Sequence, residues 1–508
     1  MARQGSGDRS GAGTLGRGRR QYDPAVQPGA EQSRRRAGLT ALALILLAGV
    51  GLRVGYAWNP YEPQVLDARA YARIARSVDE DGSFSQRGDF TPAEVQPASN
   101  YSPGLPLAVG GLYRLTGGVD ERLARVVLAL VASLSVLFSY MIGLRLSGPA
   151  AGLIAAAAVA VYPAFLEYGG MLMTEPLAAA LLSGSVLAML WAAERSGIGR
   201  WLLPGLLLGA TAMVRPEYLA IAALLSLVVF ARGARRSPGP ALRQAGVLLA
   251  GVLIVVAPWA VRNLIVLDRF VPISTGGGQV LFAGTYLPSG GDPLKVGQEV
   301  LERHPAVRRA LLSEHLPPAG SGASPQLLLS QLRPPASGGP RQALSQRVSG
   351  PEPPTLERIL AALAAERYPG LQSDVALARM GKDQLWRDIS EEPARYAGFL
   401  VDKLSLMWLH GPRGVMHEPA WALLHFLLIG FGLAGLLVLA AKRRWEALIL
   451  ATILVAITLV GLVLVASPRR VLVAIPLVAP LAGVGAVWVF ELVRRRFPEP
   501  RIEARSSS

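Results

Sequence analysis

The chain has no cysteine and little charge: only 17% of its 508 residues are Asp, Glu, Lys or Arg. Without cysteine there is no disulfide, thiolate nucleophile, iron–sulfur cluster or Cys-ligated zinc. The charged share is well below the roughly 25% of an ordinary soluble domain, and a mean hydropathy of +0.37 excludes a soluble multidomain enzyme. Lysine is scarce, present only as Lys295, Lys382, Lys403 and Lys442. The five histidines show no metal-ligand spacing. There is no P-loop, which argues against an ATP-driven pump, and Gly276-Gly277-Gly278 does not follow the dinucleotide-binding pattern. No internal repeat is evident.

What the chain has is apolar sequence, 51% of the residues, together with a net charge of +16. In a soluble protein that charge would point to nucleic acid. Here the arginines sit in short clusters between apolar runs, the pattern of a polytopic membrane protein, so no nucleic-acid partner is expected. Runs long enough to cross a bilayer fall at about 38–57, 122–145, 150–166, 176–193, 201–214, 217–231, 244–261, 420–441, 446–466 and 470–493. The first is too long for a signal-peptide core and reads as an uncleaved span. Ten crossings place both termini in the cytoplasm. They also place Arg145, Arg195, Arg200, Arg232, Arg235, Arg236, Arg243, Lys442, Arg443, Arg444 and Arg494 to Arg496 inside, as the positive-inside rule requires. That count requires the stretch 396–410 to lie at the interface or re-enter rather than cross.

The expected organisation is therefore all-α and multi-pass in the plasma membrane. Residues 1–37 form a disordered basic cytoplasmic tail. Residues 38–262 form an N-terminal transmembrane module with a first outer loop at 58–104. Residues 263–395 form an extracytoplasmic region whose Pro-, Gly- and Ser-rich part, 314–355, is a flexible insertion. Residues 396–493 hold the interfacial segment and the last spans, and 494–508 a second cytoplasmic tail.

Charged residues at the outer ends of the spans carry the chemistry. In the first loop Leu66, Ala70, Ile74 and Val78 form an apolar stripe at helical spacing, suited to a helix lying on the membrane surface. Asp67 and Tyr71 share a neighbouring face four residues apart. Alone, Asp67 reads first as a helix cap and second as a carboxylate available as a general base. Glu175, just before Pro176, is either a first-turn glutamate or a carboxylate kept at a span end for a function, since such placement is costly. Arg215, Arg262 and the pair Arg469–Arg470 lie at outer ends, against the prevailing bias. Each could snorkel to headgroups, but guanidinium groups there also suit a phosphate.

In order along the chain, LDARAYARIA, NYSPGLPL, MTEP, VRPE, APWAVRN, VPISTGGGQVLFAGT and SPRRVLVAIPLVAPLAG resemble membrane glycosyltransferases of the GT-C type. The resemblance is to the group of dolichyl-phosphate-mannose protein mannosyltransferases and bacterial aminoarabinose transferases. It covers about 40–290 and 396–493. It implies a polyprenyl-phosphate sugar donor and transfer to a hydroxyl of a glycan, lipid or protein acceptor on the outer face. Asp67 matches the first-loop catalytic aspartate, and Glu175 the acidic position of the second outer loop. Arg215, Arg262, Arg469 and Arg470 match donor-phosphate positions. Tyr71, Tyr101 and Glu62 are the expected substrate-positioning residues; Glu62 is the nearest substitute for a second carboxylate, because Ala68 follows Asp67 where many relatives carry Glu. The lysine that aminoarabinose transferases carry before their first-loop prolines is missing from NYSPGLP. No cofactor is required, although a divalent metal ion held by carboxylates is compatible with the pattern. A transporter or flippase of lipid-linked saccharides would need similar groups, but nearer the midplane and usually with inverted repeats.

Overall fold

The computed structural model describes residues 28–60, 66–86, 96–97, 99–195, 197–290, 293–315, 356–411 and 414–497. The predicted insertion 314–355, apart from its first two residues at the end of a helix, and most of both predicted tails lie outside these residues. Helix α1 (Pro28–Trp58) is followed by α2 (Leu66–Glu80) and α3 (Gly104–Thr116). Then come α4 (Glu121–Ser147), α5 (Pro149–Val161), α6 (Pro163–Gly169), α7 (Thr174–Ala193), α8 (Leu202–Val214), α9 (Tyr218–Ala234) and α10 (Pro238–Leu267). A group of shorter helices follows: α11 (Gly277–Thr285), α12 (Pro293–Arg303), α13 (Pro305–His315), α14 (Leu356–Arg367), α15 (Ser373–Glu391) and α16 (Pro393–Trp408). The chain returns to the bundle with α17 (Pro419–Ala441), α18 (Trp445–Val463) and α19 (Pro468–Arg496). The one strand pairing among the described residues joins Ser85–Gln86 to Gln96–Pro97.

This is a multi-pass membrane protein. Seven helices among the described residues are long and apolar enough to cross, and α5 with α6, bent by 49°, makes an eighth if the pair is one span. Pro163 at the break explains the bend, since proline removes a donor and crowds the preceding turn. The predicted runs 201–214 and 217–231 are helical as α8 and α9, but at 13 and 17 residues they fall short of crossing length. Helix α16 is not among the candidate spans. Two readings need correction. Helix α1 starts at Pro28, so residues 28–37 are helical rather than disordered, while the apolar span within it begins at Arg35. The stripe of α2 does not lie on a membrane surface: Ala70, Ile74 and Val78 are buried, and a Cβ at Gly110 of α3 would stand 2.6 Å from Val78. Amphipathic spacing fixes which face is covered, not what covers it.

Close backbone approach binds the spans together. A Cβ at Gly205 of α8 would lie 2.1 Å from the Leu248 carbonyl oxygen of α10, and one at Gly435 of α17 would lie 1.9 Å from that of Leu481 of α19. Among helices in lipid, where apolar burial against a partner gains little over burial against acyl chains, such small-residue contacts supply the packing. A separate core of Phe282, Val296, Val300, Leu360, Leu363 and Leu377 holds α11 to α15 together.

The two ends of the bundle differ in charge. At one end Arg145 pairs with Glu194, Arg195 and Arg200 stack on Trp191, and Arg232 lies 4.3 Å from the Trp445 ring. At the other end Arg76 pairs with Glu121 at 2.9 Å and Asn100 donates to Glu357 at 2.9 Å. The carboxylates and arginines of the predicted site gather at this second end.

Candidate active site

Each charged side chain of the site stands where a helix begins or ends. Asp67 is in the first turn of α2, where the helix dipole favours a carboxylate, and burial of Ala68 and Ile74 fixes that turn. Glu175 is in the first turn of α7. Arg215 follows α8 in an extended conformation, and Glu217 precedes α9. Arg469 and Arg470 open α19 just after Pro468, with the Ser467 hydroxyl accepting from the Arg469 N–H at 3.3 Å. Cations at a helix N-terminus are disfavoured. These two arginines owe their positions to the carboxylates opposite.

The contacts form one alternating chain of charge. Arg469 donates from Nη1 to Asp67 Oδ2 at 2.8 Å and from Nε to Glu175 Oε1 at 2.7 Å. Glu175 Oε1 also accepts from Arg215 Nη1 at 3.2 Å. Arg215 donates from Nη2 and Nε to Glu217 Oε1 at 2.9 and 3.0 Å. Arg470 Nη1 closes the series on the same Glu217 oxygen at 2.9 Å, and its Nε donates to the Val465 carbonyl at 3.0 Å. A cavity of about 430 Å³ opens on this chain, walled by Asp67, Tyr71, Arg215, Glu217, Arg469 and Arg470, with Gln279 and Ala283 from α11 and Leu356 from α14. Glu175 is 0% exposed and is not in the wall. It stands behind the cavity and holds two arginines in place.

The electrostatics follow from this interleaving. Burial alone would raise the Glu217 carboxyl, but the Arg215 and Arg470 charges prevail and push it down to about 2. Burial, reinforced by the charges of Asp67 and Glu175, raises the Tyr71 hydroxyl above its usual range. Tyr71 is therefore a proton-bearing donor at neutral pH. Tyr101 meets Tyr71 edge to face at 5.5 Å, and burial with the Glu357 and Asp67 charges pushes its hydroxyl up to about 12.

Of the predicted residues, Asp67, Tyr71, Tyr101, Glu175, Arg215, Arg469 and Arg470 come together here. Arg262 does not. It lies 4.8 Å from the Trp259 ring and 5.8 Å from that of Phe84, outside the cavity wall. Glu62 lies outside the described residues. Glu217 and Glu357 were not singled out from the sequence. The signal for Glu217 was present in VRPE, a carboxylate two residues from an arginine at a span end. Among the described residues the carboxylates of the site are not grouped as the ligands of a divalent metal ion. Asp67, Glu175 and Glu217 are separated from one another by guanidinium groups, and no group of three or more His, Asp or Glu among the described residues could hold one.

A second cavity, apolar and of about 620 Å³, lies between α16, α17, α18 and α19, with Trp408, Leu433, Leu454 and Leu481 in its walls. Thr458 and Leu459 line it, and Gly461, two residues further along α18, is where a Cβ would come within 3.8 Å of Arg470 Cδ.

Residues 100–261 match the family model described as dolichyl-phosphate-mannose-protein mannosyltransferase. That segment contains Glu175, Arg215 and Glu217, and leaves Asp67, Arg469 and Arg470 outside. No curated protein matches the chain in sequence. The apo crystal structure of the oligosaccharyltransferase from Archaeoglobus fulgidus is similar with a TM-score of 0.50 at 15% identity, over 90% of this chain and 51% of that one. The same enzyme tethered to an acceptor peptide containing the NVT sequon gives 0.50 at 16%, over 90% and 50%. ArnT from Cupriavidus metallidurans bound to undecaprenyl phosphate gives 0.37 at 15%, over 90% and 78%, too loose a likeness to add to the fold. The chain thus has the fold of the archaeal enzyme and spans about half its length. The family match and this fold bear out the resemblance read from the motifs.

Proposed function

We propose that the chain is a membrane glycosyltransferase that moves a sugar from a polyprenyl-phosphate donor to an acceptor hydroxyl on the extracytoplasmic face. The observation that carries this reading is the single cavity in which Asp67 and three arginines meet. In this mechanism Asp67 takes the proton of the acceptor hydroxyl as its oxygen attacks the anomeric carbon. The bond from that carbon to the phosphate oxygen breaks with its electron pair left on polyprenyl phosphate, and the configuration inverts. Arg215, Arg469 and Arg470 stabilise the phosphate charge, already oriented by Glu175 and Glu217. The apolar cavity beside Arg470 suits the isoprenoid chain. Arg469 carries a further consequence. At rest it occupies Asp67, so a donor phosphate that draws Arg469 away frees the aspartate to act as base.

The bundle-end position of all these charges favours an enzyme over a transporter, whose charges lie near the midplane. The test is incubation of the purified protein with a panel of polyprenyl-phosphate sugars in the presence of hydroxyl acceptors of the glycan, lipid and peptide classes, following release of polyprenyl phosphate. Wild type should release it with at least one donor, and Asp67→Asn should be slower by about 100-fold or more. Near-normal turnover in that variant removes Asp67 from the mechanism, and no release with any donor overturns the reading as a whole.

A further inference from the structure

Helix α16 carries a buried stripe at helical spacing, Tyr396, Phe399, Lys403 and Met407, in which one position that should be apolar is a lysine. Lys403 is 1% exposed, one of only four lysines in the chain. A buried ammonium is strongly unfavourable unless its protons are bound. Here they are. Nζ donates to the carbonyls of Gly284 and Leu464, both at 2.7 Å, and to that of Leu462. The first carbonyl belongs to the last turn of α11, and the other two to the end of α18. Both are helix C-termini, where carbonyls lose their partners within the helix.

The segment so held is the short link from α18 to α19. Within it the Leu464 carbonyl binds Lys403, the Val465 carbonyl accepts from Arg470, Ala466 is buried, and the Ser467 hydroxyl accepts from the Arg469 N–H. On its other side the link touches α11 directly: a Cβ at Gly284 would stand 2.1 Å from the Leu464 carbonyl carbon, so glycine is needed there. Two neighbouring guanidinium groups that must enter one cavity against the helix dipole depend on the geometry of this link. Lys403 adds to the link's own hydrogen bonds a tie from outside it, joining the Leu464 carbonyl to the ends of α11 and α18.

We propose that Lys403 is a positioning residue of the donor site: it clamps the α18–α19 link and thereby sets the direction in which Arg469 and Arg470 reach the cavity. The inference rests on the reading of these arginines as phosphate-binding groups. Lys403 itself touches no substrate.

The test uses the full chain in detergent and two readouts. Because the protein has no cysteine, Ala466→Cys introduces a single buried thiol in the link. In that background Lys403→Met should raise the rate of thiol labelling about tenfold, since the link opens locally. Without the added thiol, Lys403→Met should weaken binding of polyprenyl phosphate about tenfold. The control is Arg53→Met. Arg53 is also 1% exposed and donates to three carbonyls, those of Gly49, Val159 and Ala160, but between α1 and α5, away from the α18–α19 link. It should lower the melting temperature and leave both readouts unchanged. Unaltered labelling and affinity in Lys403→Met, or equal changes in Arg53→Met, would overturn the proposal. Failure of the wild type to bind polyprenyl phosphate would instead count against the donor reading, and the labelling comparison would still decide the role of Lys403.

Discussion

Arg469 serves two carboxylates at once, and their surroundings separate what each contributes. Asp67 is partly exposed, so its ion pair adds little to stability. Glu175 is fully buried between two guanidinium groups, and removing it leaves both without their central partner. Glu175→Ala should therefore destabilise the protein by about 3 kcal/mol, as for other broken buried pairs. Asp67→Asn should barely move the melting curve while abolishing transfer. Denaturation and turnover measured on both variants check this; an Asn variant as unstable as the Ala variant would make Asp67 structural. Glu217 gives a pH signature. Its carboxyl is depressed to about 2, so the folded state gains stability from it above the ordinary carboxylate range and loses that gain as pH falls toward 2. In Glu217→Gln the loss of melting temperature between pH 5 and about pH 2 should be shallower than in wild type. Parallel curves would contradict the assignment.

The helices were legible in the sequence because apolar runs bounded by arginines leave few alternatives, and each of the ten runs is helical. The site was legible in part, for reasons visible in single elements. Asp67, Glu175, Arg215, Arg469 and Arg470 could be grouped because all stand at ends of one parity. Arg262 was grouped with them because the apolar run stops at 261, whereas α10 continues to Leu267. Arg262 thus lies more than a turn before the helix end and on the face of Trp259, three residues earlier, whose ring it covers. In the sequence Glu217 has only Arg215 beside it, and the fold brings Arg470 to it. The clamp at Lys403 left no trace beyond one lysine in an apolar stripe. Packing of α8 on α10 is a test at this scale. Gly205→Val places methyl groups where the Leu248 carbonyl stands and should force α8 away from α10. Arg215 at the far end of α8 would then lose its register with Glu175. We expect lower stability and, in the fraction that folds, weaker polyprenyl phosphate binding; unchanged values for both would show that α8 tolerates the displacement.

For the molecule as a whole, the side of the membrane that the ionic cavity faces decides which sugar donor can reach it. The bundle has one end with Arg145, Arg195, Arg200, Arg232 and Arg444, and another with the cavity and the α11–α15 cap. Arginine-rich loops are preferentially retained in the cytoplasm, and on that rule we propose that the cavity faces outward, where lipid-linked sugars rather than nucleotide sugars would be available. Single cysteines in this cysteine-free chain can decide the matter. Gln372, exposed between α14 and α15, belongs to the cap, and Ser237, exposed between α9 and α10, belongs to the arginine-rich end. In intact cells a membrane-impermeant maleimide should label Gln372→Cys, and Ser237→Cys only after lysis. The reverse pattern would turn the cavity to the cytoplasm and remove the reason for a lipid-phosphate donor. Labelling of both in intact cells would break the alternation of the spans on which the positions of Asp67, Glu175 and Arg469 were first read.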